Sequence, residues 1–169
     1  MKLVLDSIGQ ELRLGTFPER LRLQKKVYLT QLTGLDLGYR FSWYLHGPYC
    51  RELTSDAFRL MEQVRERAPE DEARSLTATT RGLAAKATKI WADEPAGQAE
   101  DDWLELLASL HYLKHISFWP QARGRDFEDV FAALIESKPR FRDRRADAAL
   151  AWGRLEQVGL IQRKVLPAP

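Results

Sequence analysis

Cysteine is nearly missing from this chain. Cys50 is the only one in 169 residues, which excludes an internal disulfide and any cysteine-rich zinc site and agrees with a reducing, cytoplasmic setting. Long apolar runs are missing as well, and nothing approaches the ~20 residues of a membrane-spanning helix, so no membrane contact is expected. The opening MKLVLDSIGQEL carries an acid by its sixth residue and alternates polar with apolar, which is wrong for a secretory signal. The P-loop, the dinucleotide G-x-G-x-x-G and the nucleophile elbow G-x-S-x-G are all absent. Net charge is slight, +2 from 26 basic and 24 acidic residues, and says little as a sum. What is present is a 44% hydrophobic fraction, enough at this length for one compact unit or two small ones sharing a core.

The most specific pattern runs from Arg20 to Leu53. At about 100° per residue, Leu21, Leu23, Gln24, Val27, Tyr28, Gln31, Leu32 and Leu35 form one broad apolar side, with Arg22, Lys25, Lys26 and Thr33 opposite. Gln24 and Gln31, seven residues apart, fall within that apolar side, where an amide is costly unless hydrogen-bonded, so they are expected to hold backbone groups. After Gly34 the aromatic-rich Tyr39–Leu45 alternates as a half-buried strand does. His46-Gly47-Pro48-Tyr49 then turns the chain, and Pro48 delays the next helix until about Cys50 or Arg51. Gln24, Tyr28, Gly47, Pro48 and Tyr49 are read together as a structural motif.

Elsewhere the spacing predicts helices over Val4–Leu14, ended by Gly15 and Pro18, over Glu52–Glu66, and from Thr79 to about Asp93. An acidic loop at Pro69-Glu70-Asp71-Glu72 separates the last two. Glu94-Pro95-Ala96-Gly97-Gln98 reads as a linker dividing residues 1–94 from 95–169. Beyond it come a helix capped by Asp101-Asp102, a helix after Asp126, a helix from Arg144 to Val158, and a terminal strand over Leu160–Val165. The expected fold is mainly α: about seven helices with a little strand, the two halves sharing a core because Trp43, Tyr44, Trp91 and Trp103 are too many large rings for either half alone.

Leu23-Gln24-Lys25 and Tyr28, followed by Tyr44, Gly47, Pro48, Glu52 and Leu53, resemble the YwgA-like proteins of bacteria and archaea; Leu110-His111-Tyr112-Leu113 also fits that pattern. More distantly the chain is similar to the Panacea domain of SocA-like antitoxins, which shares the L-Q-K helix and the G-P step. Lys26 departs from the hydrophobic residue usual after L-Q-K. The order of three helices, Gly159-Leu160-Ile161 and a strand resembles a winged-helix domain, although only eight residues follow Ile161, too few for a return hairpin. The YwgA-like resemblance implies no established activity, and the Panacea resemblance implies a non-enzymatic protein that binds a toxin or delivers it to a protease.

Charge is unevenly spread. Asp93 to Glu105 holds six acids and no base, whereas Lys138 to Lys164 holds eight bases against three acids. Lys138, Arg140, Arg142, Arg144, Arg145, Arg154 and Arg163 are therefore the candidate nucleic-acid contacts, with Arg142, Arg144 and Arg145 leading into the third helix of the winged-helix-like half. The alternative is that these arginines pair with Asp143, Asp147 and the acids of 126–136. His111 and His115 have metal spacing but no third ligand, and His46 beside Cys50 lacks an orienting partner, so no metal, cofactor or catalytic residue is assigned. The expectation is a cytoplasmic, non-enzymatic, winged-helix-type nucleic-acid-binding or regulatory protein of a defence or toxin–antitoxin locus. An antitoxin or protease adaptor is the alternative, and a defence-associated nuclease accessory the lesser one. Expected partners are DNA or an acidic protein, with a homodimer also open.

Overall fold

Thr16 and Glu19 start the first long helix. The Thr16 hydroxyl accepts from the Glu19 amide while the Glu19 carboxylate accepts from the Thr16 amide at 2.8 Å, a reciprocal capping box with Pro18 in the first turn. Pro18 thus opens this helix rather than closing the one before it, and the first helix is short. The computed structural model describes residues 1–66, 75–92, 94–120 and 122–162. In chain order these give α1 (Lys2–Ser7), α2 (Phe17–Gln31), β1 (Ser42–Tyr44), β2 (Gly47–Tyr49), α3 (Arg51–Glu66), α4 (Ala78–Trp91), α5 (Glu100–His115), α6 (Phe127–Ser137), a 3-10 turn (Pro139–Phe141) and α7 (Arg145–Gln157). The protein is mainly helical with one small sheet, and among the described residues no helix is long and apolar enough to cross a membrane.

The strands pair antiparallel, Ser42 with Tyr49, Trp43 with Pro48 and Tyr44 with Gly47, so Leu45 and His46 make the turn. The Gly-Pro step is therefore the second strand, not the corner. Pro48 tolerates this position because a two-stranded hairpin has only edges. The acidic loop at Pro69-Glu70-Asp71-Glu72 lies outside the described residues, as does the second half of the expected terminal strand; Leu160, Ile161 and Gln162 carry no strand.

Two apolar clusters share α2. Leu23 and Val27 face Leu5, Ile8, Leu53 and Ala87 from α1, α3 and α4 and the segment after α1. Tyr28 and Leu29 face the other way, into Trp103, Leu107, Leu134 and Ala151 of α5, α6 and α7. Buried on both sides, α2 has no solvent face between Leu23 and Thr30, which corrects the placing of Lys25 and Lys26 opposite the core. The second cluster crosses residue 94, so the two halves share a core. Trp103 is fully enclosed, its indole N–H donating to the Trp91 carbonyl, and Trp43 packs on Tyr112 and Trp119. Tyr44 does not join them; it is 59% exposed.

At the centre of the second cluster, α5 is buried at every residue from Trp103 to Leu113. Ala99, not Asp101 or Asp102, occupies its N-cap, and no side chain caps it. The acids of its first turn instead reach outward to cations, and they stand where a helix amino terminus favours negative charge.

Candidate functional site

The hairpin lies against α2 and α5, and three polar side chains hold it and the residue after it there, two from α2 and one from the residue that follows α6. The Gln24 amide clasps Cys50 from both sides, donating to its carbonyl at 2.7 Å and accepting from its N–H at 2.9 Å. Lys25 Nζ donates to the Pro48 carbonyl at 2.7 Å. Lys138 Nζ donates to the Leu45 carbonyl and sits 5.0 Å above the Trp43 ring. Gly47 has φ of +83°, and a Cβ added there would lie 2.4 Å from Ser109 Oγ on α5. Both the backbone conformation and the approach to α5 require glycine.

Between the hairpin and the start of α2 is a depression of about 290 Å³. Its walls are Phe17, Leu21, Tyr44, Leu45 and Tyr49; Arg20, Lys25 and His46 supply positive or protonatable groups, and among the described residues no carboxylate lines it. Phe17, Tyr44 and Leu45 are 50%, 59% and 72% exposed around the opening, an unusual grouping for a chain that buries most of its large apolar residues. The Tyr49 ring stacks near Tyr44 at 5.6 Å, and its hydroxyl accepts from Thr54.

Lys25 is 2% exposed. Burial pushes its pKa down to about 7; the Glu105 charge opposes that fall and the Lys138 charge adds to it. Glu105 itself is wholly enclosed. Burial raises its pKa, but the charges and hydrogen bonds of Lys138 and Arg140 outweigh this and hold the carboxyl below its ordinary value. Arg140 Nη2 lies 2.6 Å from one Glu105 oxygen, Lys138 Nζ 3.1 Å from the other, and His46 Nδ1 3.1 Å from the first.

Most of the basic run is paired with acids of its own chain. Arg140 and Arg144 each reach Asp102 at 2.9 Å, Arg144 also pairs with Asp147, and Arg145 pairs with Glu128. Asp102 and Glu105 thus meet Lys138, Arg140 and Arg144, far apart in the chain, as one network, while Asp101 and Glu100 pair with Arg22 and Lys26 of α2. Arg142 is exposed, Arg154 lines a separate groove with Lys86 and Lys89, and Arg163 lies outside the described residues. Of the candidates among the described residues, Lys138 is buried, Arg144 and Arg154 are partly buried, and Arg140, Arg142 and Arg145 are exposed.

Tyr28 and His111 share a hydrogen bond of 2.8 Å within the core. Burial, then the neighbouring His115, pushes the His111 pKa down to about 3, so the ring is neutral. His46 turns to Glu105 and stacks edge-on to Phe17, while Cys50 is buried with its thiol pKa raised by burial, so the two form no nucleophile and base pair. Lys25, Glu105 and Ser109 are what the sequence reading missed. Asp102, Glu105 and Ser109 fall at helical spacing in an otherwise leucine-rich helix, a polar stripe on a core element that could have marked the network. No protein-family model, curated protein or solved structure matches this chain.

Proposed function

We propose that the chain is a non-enzymatic binding module that takes a protein partner on the hairpin face, in the manner of the antitoxins and protease adaptors its L-Q-K helix and G-P step resemble. One observation carries the reading: Phe17, Tyr44 and Leu45 stand exposed around an apolar depression on a backbone fastened by Gln24, Lys25 and Lys138. Exposed aromatic and aliphatic anchors about a preformed concavity are what protein interfaces use as hot spots. A cytoplasmic setting and a defence or toxin–antitoxin locus belong to the same reading. The nucleic-acid alternative has less support, because Arg140, Arg144 and Arg145 are already paired with acids of their own chain.

The test is recovery of the partner from the native cell by the full chain and by two variants of it. Tyr44→Ser with Leu45→Asn should lose the partner, and Arg142→Glu with Arg145→Glu should retain it. The opposite result, together with duplex binding that falls steeply with salt, would transfer the function to the arginines. A chain that sediments as a dimer until Leu45 is changed would make a second copy the occupant.

A further inference from the structure

The depression has a chemical character beyond its apolar walls. An ammonium carries three donors, and among the described residues Lys25 Nζ uses one, on the Pro48 carbonyl. Beside it, Ser109 Oγ is buried with no hydrogen-bond partner. Both atoms approach the same point, a Cβ position on Gly47 that lies 2.4 Å from Ser109 Oγ and 3.7 Å from Lys25 Nζ. Under-satisfied polar groups in a buried place are costly unless a ligand completes them. The acid nearest in the network, Glu105, is taken by Lys138, Arg140 and His46, and Arg20 is spent on the carbonyls of Leu14 and Gly15. Lys25, apolar walls and, among the described residues, no lining carboxylate define the complement.

We propose that the partner's contribution to this depression is an apolar side chain presented beside a carboxylate, with the side chain between Phe17, Leu21 and Tyr44 and the carboxylate accepting from Lys25 Nζ. This rests on the hairpin face being the docking surface. The carboxylate supplies the acceptor that the buried ammonium lacks, so binding draws a proton onto Lys25, whose pKa burial has brought down to about 7. A charge-assisted hydrogen bond in a dry pocket also discriminates sharply against a neutral isostere.

The experiment titrates the full-length ¹⁵N-labelled chain with N-acetyl-phenylalanine and, separately, with N-acetyl-phenylalaninamide, following the Gly47 and Tyr49 amides by NMR. A probe of this size allows an affinity on the order of 1 mM, and the acid is expected to bind roughly tenfold more tightly than the amide. Its affinity should fall as pH rises through about 7, while that of the amide stays level. The groups facing Lys25 are His46 on the hairpin, Glu105 on α5, Lys138 and Arg140 after α6, and Arg20 on its own helix. The profile is therefore repeated with His46→Gln, where it should persist. Lys25→Met should erase the preference for the acid; if that variant does not fold, the wild-type profile decides. Equal binding of the two probes, a level pH profile for the acid, or no saturable shift overturns the inference. If equal binding accompanies loss of the partner in the Tyr44 and Leu45 variants, this inference fails while the docking surface stands. Acid preference with a partner indifferent to those variants overturns the partner assignment and makes a free carboxylate the ligand.

Discussion

Gln24 shows how a single side chain can fix a fold locally. Its amide satisfies both backbone groups of Cys50 and bonds the Thr54 hydroxyl, so truncation strands two buried backbone groups. Gln24→Ala should cost about 1–3 kcal/mol, read as a lower melting temperature. His111 makes the matching statement about pH. The folded state keeps its ring neutral down to about pH 3, whereas the unfolded chain takes up a proton near the ordinary value of about 6.5. The stabilisation is complete above that ordinary value and drains away as pH falls toward 3, amounting to a few kcal/mol in order of magnitude. Denaturant melts between pH 7 and pH 4.5 should show the loss in the wild type and a flatter slope in His111→Gln. The glutamines were legible because an amide on an apolar arc must bond something, and Gln31 does the same for Leu37 and Tyr39. Lys25 was not, because periodicity assigns a charged residue to solvent and cannot see a second cluster behind the helix.

Among the elements, α2 depends on a start signal spread over four residues. Thr16→Ala removes the hydroxyl that caps the Glu19 amide and should cost about 1 kcal/mol, with hydrogen exchange accelerated in the first turn before anywhere else. The Thr-x-x-Glu signature stood in the sequence, but Gly15 and Pro18 on either side suggested an ending, and proline in a first turn looks like proline after a last one until the cap is identified. Helix existence and type came through well from α3 onward, since Leu53, Ala57, Trp103, Leu106, Phe131 and Leu155 repeat with the helical period and sit inside as that period requires. The hairpin came through only by half. Gly47-Pro48 carries the strongest turn chemistry in the stretch, yet the positive φ serves a close approach to Ser109, a tertiary contact that no local pattern encodes.

For the whole molecule, the decisive correlation is between two charged blocks roughly forty residues apart, the acids of 100–105 and the bases of 138–145. Read along the chain they suggest an acidic loop and a basic surface; folded, they neutralise each other around Glu105. Glu105→Gln should cost roughly 3–5 kcal/mol, because Lys138 remains buried without its counter-charge. The double variant with Lys138→Met should recover part of that loss, and chemical denaturation of the four species measures the coupling. Charge runs in a sequence say nothing about which run faces which, so the two blocks were legible and their pairing was not.

The enclosure of α5 also bears on the order of events as the chain is made. Tyr28 and Leu29 of α2 find their apolar neighbours on a helix about eighty residues later, so the emerging amino-terminal part holds a sticky, half-finished surface until residues 100–115 have left the ribosome. A fragment ending at residue 94 should therefore be compact but loosely packed, binding a hydrophobic dye and lacking near-ultraviolet dichroism, and mixing it with residues 95–169 should abolish the dye binding and restore the dichroism. In the cell, that interval of synthesis is when a chaperone or a protease has its best hold on this protein.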